Sequence, residues 1–397
     1  MHIVYVTGFF ANNDQDILTG MPNYIYKISK YMLSVGYDVT ILTVGKKDIE
    51  WFYDGIRVYS VYIPARNIGS REFNHYFVYP LKRDLKFNQR LNIINKKNPI
   101  TLVQYAGWYG VGMLYNRKFP SVLRISTYSK FQLYAKHTKK ELFYINLTEL
   151  MAAKNFDGII APSRALGKRY EKDVKRKVRI LETPFEYSEC EREDNTLLRE
   201  KLSGKKYFIF FGRISPDKGI ETIGRCINEL LKTYPEHSFC FAGEVAIVNG
   251  KNMMKHLKSM AGEEKERVVY LGNIPHSQLF PIIRNAECVV MPSLMDNLPN
   301  AGLEAMYLNG IVIGTRGASF DEMFEDKISG LLIEIDDSKE LLQKIGYVLK
   351  MSEAEKEKMR QMARERLEKY EPQNAGKKLV LYYHKILKKT KKDKVKN

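Results

Sequence analysis

The residues best suited to chemistry lie in Pro292-Ser293-Leu294-Met295-Asp296-Asn297-Leu298-Pro299-Asn300-Ala301-Gly302-Leu303-Glu304-Ala305-Met306. Two carboxylates, Asp296 and Glu304, stand eight positions apart. The first follows an apolar run, Cys288 to Met291, that reads as a strand. The second falls in a helix that Pro299 is suited to open, because proline fits a first helical turn. A loop carboxylate and a helix carboxylate then face one crevice at the C-terminal end of a strand, where open α/β sheets bind ligands. The amides of that helix's first turn offer positive ends to an anion. Some eighty residues earlier, Gly212-Arg213-Ile214-Ser215-Pro216-Asp217-Lys218-Gly219 follows another strand, Tyr207–Phe211, and precedes a helix. Arg213 can fork onto two oxygens and Lys218 adds a point charge, a combination that suits a diphosphate. Alone, such a turn is equally a surface loop with two solvated cations.

The Asp296–Glu304 spacing is similar to the Glu-x7-Glu signature of retaining glycosyltransferases of family four, with Asp in the first slot, and Arg213 with Lys218 looks like that family's GR…KG motif. The resemblance covers nearly the whole chain. It implies an α/β GT-B fold, two Rossmann-like domains facing across a cleft, with a C-terminal helix crossing back to the N-terminal domain. It implies that Arg213 and Lys218 hold a donor diphosphate and that Glu304 binds the hydroxyls of a nucleotide ribose. Asp296 is then expected to accept from donor-sugar hydroxyls, with Asn297, Leu298, Pro299 and Asn300 lining the same pocket. Gly243 and the pair Asn273-Ile274 end strands where the family contacts the nucleobase through backbone groups. Gly20 matches a glycine-rich turn on the other domain, although Met21 stands where a second glycine is usual. The family's N-terminal histidine has no counterpart in Arg124-Ile125-Ser126-Thr127-Tyr128. Ser126 or Thr127 is the candidate to offer a hydroxyl or carbonyl near the reacting carbon. Glu149, Ala153, Asp157 and Pro162-Ser163 resemble a further family run and are assigned a structural role. Asp14-Gln15-Asp16 and the glycines Gly107, Gly110 and Gly112 imitate a metal motif and a dinucleotide fingerprint without the flanking elements those need.

The elements that must position these groups follow an alternating pattern. Strand-like runs recur at His2–Val6, Asp38–Val44, Ile56–Val61, Thr101–Gln104, Val122–Ser126, Gly158–Ala161 and Val178–Leu181, with helical patterns between most of them. A second series runs through Tyr207–Phe211, Ser238–Ala242, Val268–Leu271, Cys288–Met291, Ile311–Gly314 and Leu331–Glu334. Such alternation predicts parallel βαβ units. The expected divisions are an acceptor-side domain over 1–185, a linker over 186–205, a nucleotide-sugar domain over 206–373, and a crossing helix with a basic tail over 374–397. The lysine-rich end reads as frayed and solvated.

The chain has 397 residues, 44% of them hydrophobic, enough for two cores. No apolar run approaches the ~18 residues of a membrane span, and the start lacks the basic region of a signal peptide. Cys190, Cys226, Cys240 and Cys288 show neither ligand nor disulfide spacing. Net charge is +18 and unevenly spread. Residues 1–190 hold 29 Lys and Arg against 16 Asp and Glu, residues 191–384 hold 28 against 29, and the last thirteen hold seven Lys and one Asp. This asymmetry points to an anionic partner on one side. Phe73, Tyr76, Phe77, Tyr79 and Phe87 interleaved with Lys82, Arg83, Lys86 and Arg90, and the run holding Lys168 and Arg169, suit an anionic membrane surface or a lipid-linked phosphate. A merely solvated basic surface is the plain alternative, and no nucleic-acid motif appears.

The resulting expectation is a retaining, metal-independent hexosyl- or glycosyltransferase. It takes a nucleoside-diphosphate sugar, UDP first, as substrate rather than cofactor and transfers the sugar to a glycan or lipid-linked acceptor for cell-surface polysaccharide. It is expected in the cytoplasm, peripheral on the inner face of the membrane, alone or in a homo- or hetero-oligomer. A catalytically weak partner subunit of another glycosyltransferase and a sugar-nucleotide epimerase of similar architecture are the alternatives.

Overall fold

The structure is a computed structural model that describes residues 1–11, 20–64, 69–132, 137–185 and 193–396. Asp14, Asp16, Cys190 and the first part of the expected linker, 186–192, lie outside the described residues. The chain forms two compact units, Met1–Glu186 with Tyr370–Asn397, and Tyr187–Lys369.

The first unit holds an eight-stranded sheet of order β3-β4-β2-β1-β5-β6-β7-β8. Its strands are β1 His2–Val6, β2 Asp38–Val44, β3 Glu50–Tyr53, β4 Ile56–Val61, β5 Leu102–Gly107, β6 Ser121–Ile125, β7 Gly158–Ala161 and β8 Arg179–Ile180. All neighbours are parallel except β3 and β4, a hairpin that the sequence pattern did not reveal. The central strands are apolar along their whole length because helices cover both faces. Val4, Val6, Tyr105 and Leu123 belong to the core on one face, and Ile3, Tyr5, Ala106 and Val122 to the core on the other.

The second unit holds β9 Lys206–Phe211, β10 His237–Ala242, β13 Val268–Gly272, β14 Cys288–Met291, β15 Val312–Thr315 and β16 Leu331–Ile333. They form a parallel sheet of order β13-β10-β9-β14-β15-β16. A two-stranded ribbon, β11 Ile247–Val248 with β12 Lys251–Asn252, stands apart. The chain begins this sheet at β9, builds outward to β13, and returns to the other side of β9 with β14. Neighbouring crossovers diverge between β9 and β14, which leaves a crevice at their C-terminal ends. In the first sheet the same reversal falls between β1 and β5.

The last helix, Pro372–Lys396, packs on the first unit. Leu379, Tyr383 and Ile386 bury themselves in that unit's core, and Gly376 lies against the ring of Tyr31. The hydroxyl of Tyr383 donates to Gln104 Oε1 at 2.6 Å and stands 3.4 Å from the hydroxyl of Tyr5. The amide of Gln104 donates in turn to Tyr24 at 3.1 Å. The basic end is helical through Lys396 rather than frayed. Lysine is a good helix former, and no Gly or Pro interrupts the run.

Tyr383 is fully buried and Leu381 is 69% exposed on the same helix. Tyr383→Ala is expected to cost about 3–5 kcal/mol in urea unfolding followed by circular dichroism, whereas Leu381→Ala stays within about 0.5 kcal/mol of the parent.

Candidate functional site

The site residues of the second unit stand on loops that leave the C-terminal edge of its sheet. β9, β10 and β13 each run into a glycine there, Gly212, Gly243 and Gly272. Backbone bonds continue between the loops past the strands: the Gly212 amide donates to the Ala242 carbonyl at 3.0 Å, Gly243 to Gly272 at 2.8 Å and Ile214 to Glu244 at 2.8 Å. A Cβ on Gly243 would stand 2.0 Å from the Gly212 carbonyl oxygen. The three strand ends therefore form a ledge of bare backbone, with Asn273 exposed and Ile274 half-buried beside it.

At the crevice between β9 and β14, two loops are pressed together. Pro216–Lys218 forms a single 3-10 turn that ends at Gly219 with φ +76°. A Cβ on Gly219 would fall 1.8 Å from the Pro292 carbonyl oxygen, so only glycine lets the turn after β9 touch the loop after β14. The Leu294 amide bonds across to the Asp217 carbonyl at 3.0 Å. On that frame Lys218 Nζ forms an ion pair with Asp296 Oδ2. Ser293 Oγ also donates to Asp296 Oδ2 at 3.3 Å, and the Asn297 amide donates to Oδ1 at 3.0 Å. Ser319 Oγ holds the Asp296 carbonyl at 3.0 Å. Lys218 and Asp296 keep 29% and 13% of their side chains exposed, so the pair lines the surface of the crevice. Arg213 is exposed at its rim, and its guanidinium forms no ion pair among the described residues.

Leu298 then takes a left-handed conformation, φ +68°, a strained choice for a branched side chain that tends to mark functional turns. It delivers the chain into the helix Asn300–Tyr307, for which Pro299 is the cap residue rather than the first helical one. Pro299 gives this helix no side-chain cap, and the Gly302 amide closes the first turn on the Pro299 carbonyl at 3.0 Å. Glu304 stands half-buried one turn further on. Lys218 and Asp296 meet at this junction, with Arg213 exposed just after β9 and Glu304 half-buried in the helix that follows the Asp296 loop. The Lys218–Asp296 contact and the supports from Ser293 and Ser319 were not legible in sequence. Only the position of Ser319 just after β15, another strand end of the same edge, was a usable signal.

Gly20, Ser126 and Thr127 belong to the first unit. Gly20 opens the helix Gly20–Ser34 with φ +58°. Met21, in place of a second glycine, sets its sulfur 3.6 Å from the hydroxyl of Thr7. Ser126 is half-buried, and the Thr127 hydroxyl is buried without a hydrogen-bond partner among the described residues. Thr127 borders a small cavity shared with Gly107, Trp108, Gly110 and Glu149. Glu149 is buried, and burial pushes its carboxyl up to about 7. Its Oε1 accepts from Ser129 Oγ at 2.6 Å and its Oε2 from the Ser129 amide at 3.3 Å, while the Tyr109 amide also bonds to it. One carboxyl thereby ties the loop after β5 to the loop after β6, which agrees with a structural role. An aromatic group missed in sequence gathers there: Trp108 stacks on Tyr109 with centroids 4.4 Å apart, Phe9 meets Trp108 edge-on, and His137 stands between the hydroxyls of Tyr76 and Tyr109.

The expected basic and aromatic membrane surface around residues 72–97 is corrected in part. Arg83 is 3% exposed, paired with Asp84 at 3.1 Å and bonded to the Tyr109 carbonyl. Phe87 is in the core, and Phe77 and Tyr79 pack against it. The aromatics alternate with cations because one helix face is buried, which sequence spacing alone assigned to the surface. Lys82, Lys86 and Arg90 are half-buried, with Arg90 over the ring of Tyr59. Lys168 is exposed and Arg169 half-buried. No helix among the described residues is long and apolar enough to cross a membrane.

Residues 194–366 match the family described as glycosyl transferases group 1. That match lies within the second unit. An uncharacterized glycosyltransferase of Methanocaldococcus jannaschii is 25% identical over 59% of this chain, an alignment that spans 59% of that protein. The phosphatidylinositol N-acetylglucosaminyltransferase GPI3 subunit of Saccharomyces cerevisiae is 17% identical over 79% of this chain and 68% of its own length. Among solved structures, an α,α-trehalose-phosphate synthase (UDP-forming) from Burkholderia vietnamiensis matches with a TM-score of 0.75 at 11% identity, covering 97% of both chains. The chain has the GT-B fold of glycosyltransferases, as the resemblance implied.

Two substitutions test this geometry. Gly219→Ala adds a collision to a left-handed backbone, whereas Gly250→Ala meets a similar φ, +75°, with nothing within 4 Å of the new Cβ. Gly250→Ala is expected to cost about 1–2 kcal/mol in chemical denaturation, and Gly219→Ala clearly more. Glu149 sets a pH dependence. The unfolded chain releases this proton near pH 4.5 and the folded chain near 7, so the folded state holds the extra proton between them. Stability falls as pH rises through that interval, by on the order of 3 kcal/mol, and is level above it. In Glu149→Gln this contribution disappears, and the melting temperatures at pH 4.5 and pH 7.5 differ less than in the parent.

Proposed function

We propose that this chain is a retaining family-four glycosyltransferase. It moves a sugar from a nucleoside-diphosphate sugar, UDP-sugar first, to a glycan or lipid-linked acceptor in cell-surface polysaccharide synthesis. The observation that supports the reading is the Lys218–Asp296 pair where the loops after β9 and β14 touch, with Arg213 exposed on the first loop and the helix Asn300–Tyr307 following the second.

The barrier in such a transfer is cleavage of the glycosyl–phosphate bond. It builds negative charge on the diphosphate and positive charge on the sugar ring. Fixed cations and amides aimed at the diphosphate stabilise the leaving group more than the ground state, and each 1.36 kcal/mol of that difference is about tenfold in rate. Asp296 and Ser293 orient Lys218, so its charge is placed before donor arrives. Glu304 takes the ribose hydroxyls, and the backbone ledge at Gly243 and Asn273-Ile274 takes the base. The departing phosphate oxygen accepts the acceptor's proton from the same face. That keeps the anomeric configuration and needs neither a metal nor a side-chain base, in line with Ser126 and Thr127 standing where the family has histidine. The basic first unit and the lipid in the yeast relative's name favour a lipid-linked acceptor, met on the cytoplasmic face of the membrane.

A thermal-shift screen across UDP, GDP and other nucleotide sugars tests the donor, because a ligand of the native state raises its melting temperature. UDP-sugars are expected to give the largest shift, and Arg213→Ala and Glu304→Ala each to abolish it. A shift that persists in both variants refutes the site. Proton NMR of the transferred sugar then reads the anomeric outcome, and inversion would overturn the retaining mechanism.

A further inference from the structure

We infer that the edge of the first unit at β8, together with the last helix, is an anionic-bilayer docking surface distinct from the aromatic segment near residue 83. β8 is the terminal strand of its sheet and pairs only with β7. Beside it the helix Pro372–Lys396 leaves a groove of about 370 Å³. Arg179, Lys378 and Lys385 line it with Leu381, Tyr382 and Glu182. The one carboxylate is engaged by Lys378 at 3.2 Å, so the groove keeps a net positive charge.

The helix continues the same surface. Lys378, Tyr382, Lys385, Lys389 and Lys392 recur at three-, four- and seven-residue intervals and so share one face, next to the face that buries Leu379, Tyr383 and Ile386. Among the described residues, Ile386 is the last buried side chain of this helix. Lys388, Lys389, Lys391 and Lys392 follow it on an ordered helix and are exposed. On the opposite face of β8, the helix Arg164–Val174 presents Lys168 and Lys172, and the segment after it presents Lys175 and Lys177. Both flanks of one sheet edge therefore carry exposed cations. Glu171 and Asp173, the nearby acids, are occupied by the Val178 amide and by Lys130 with Tyr128.

Charge alone would also suit a nucleic acid. The apolar component decides for a bilayer. Leu381 is 69% exposed in the middle of the cationic face, where it can enter the headgroup region while lysines keep their ammonium groups among phosphates. The surface deepens the reading of a lipid-linked acceptor. It is measured without any donor, so its failure is separate from failure of the donor screen.

The full chain is sedimented with phosphatidylcholine vesicles with and without phosphatidylglycerol. Binding is expected only with phosphatidylglycerol, and to weaken as salt rises. Removing three of these cations in Arg179→Ala/Lys385→Ala/Lys389→Ala should lower partitioning roughly a hundredfold. The control Lys251→Ala/Lys255→Ala/Lys265→Ala, which removes equal charge from the second unit, should bind like the parent. Leu381→Ala should weaken binding while keeping its salt dependence. The proposal is overturned if the parent ignores phosphatidylglycerol, if both triple variants lose binding equally, or if Leu381→Ala is without effect. It is overturned as well if soluble glycerol phosphate or duplex RNA displaces the protein at low stoichiometry.

Discussion

The contact between the Gly219 turn and the Pro292 carbonyl governs the candidate site. It brings the loop after β9 against the loop after β14 at the place where the sheet's connectivity reverses. Lys218 reaches Asp296 because the two loops touch, and Asp217 and Leu294 seal the same junction through the backbone. The ion pair is partly exposed, so its contribution to stability is small. Its effect is orientation: a flexible lysine is held in one place, where the proposed function has it meet a phosphate. Aspartate in place of the longer glutamate fits this task, since its carboxylate also accepts from its own neighbour's amide and from Ser293.

The first unit depends on a different kind of constraint, a buried polar network. Tyr383 of the last helix bonds to Gln104 of β5, which bonds to Tyr24 of the first helix. Arg124 of β6 lies 3.8 Å from the centre of the Tyr24 ring and donates to Thr183 Oγ1 at 2.6 Å. It is 2% exposed. Buried hydrogen-bonding groups have few alternative partners, so such a network fixes one register of helix on sheet. The C-terminal segment is thereby an integral layer of the unit that contains the N-terminus. Glu149 does comparable work on the other face, joining two loops through one buried carboxyl.

The same charge pattern has two physical outcomes in this unit. Arg83 and Arg124 are drawn inward, one to a carboxylate and one to a tyrosine face, whereas the cations flanking β8 and those beyond Ile386 remain exposed. Composition sums them all into a single excess, but only the second group is available to an outside partner.

The sequence by itself determined the alternating α/β architecture, because strands buried on both faces must be apolar runs and the helices between them must be amphipathic. It also marked the candidate residues at the second sheet's edge. Arg213, Lys218, Asp296 and Glu304 lie in short local motifs whose spacing survives without knowledge of the fold. The antiparallel hairpin at Glu50–Tyr53 was invisible because its four residues carry no distinctive period. Only the tertiary structure decided which groups meet. The Lys218–Asp296 pair spans 78 positions, and the Tyr383–Gln104 bond spans 279. Contacts at such separation are set by strand order and helix packing, to which no local pattern of residue types is sensitive. The same reason decided the fate of Arg83, since a charge is buried or exposed according to what packs over it.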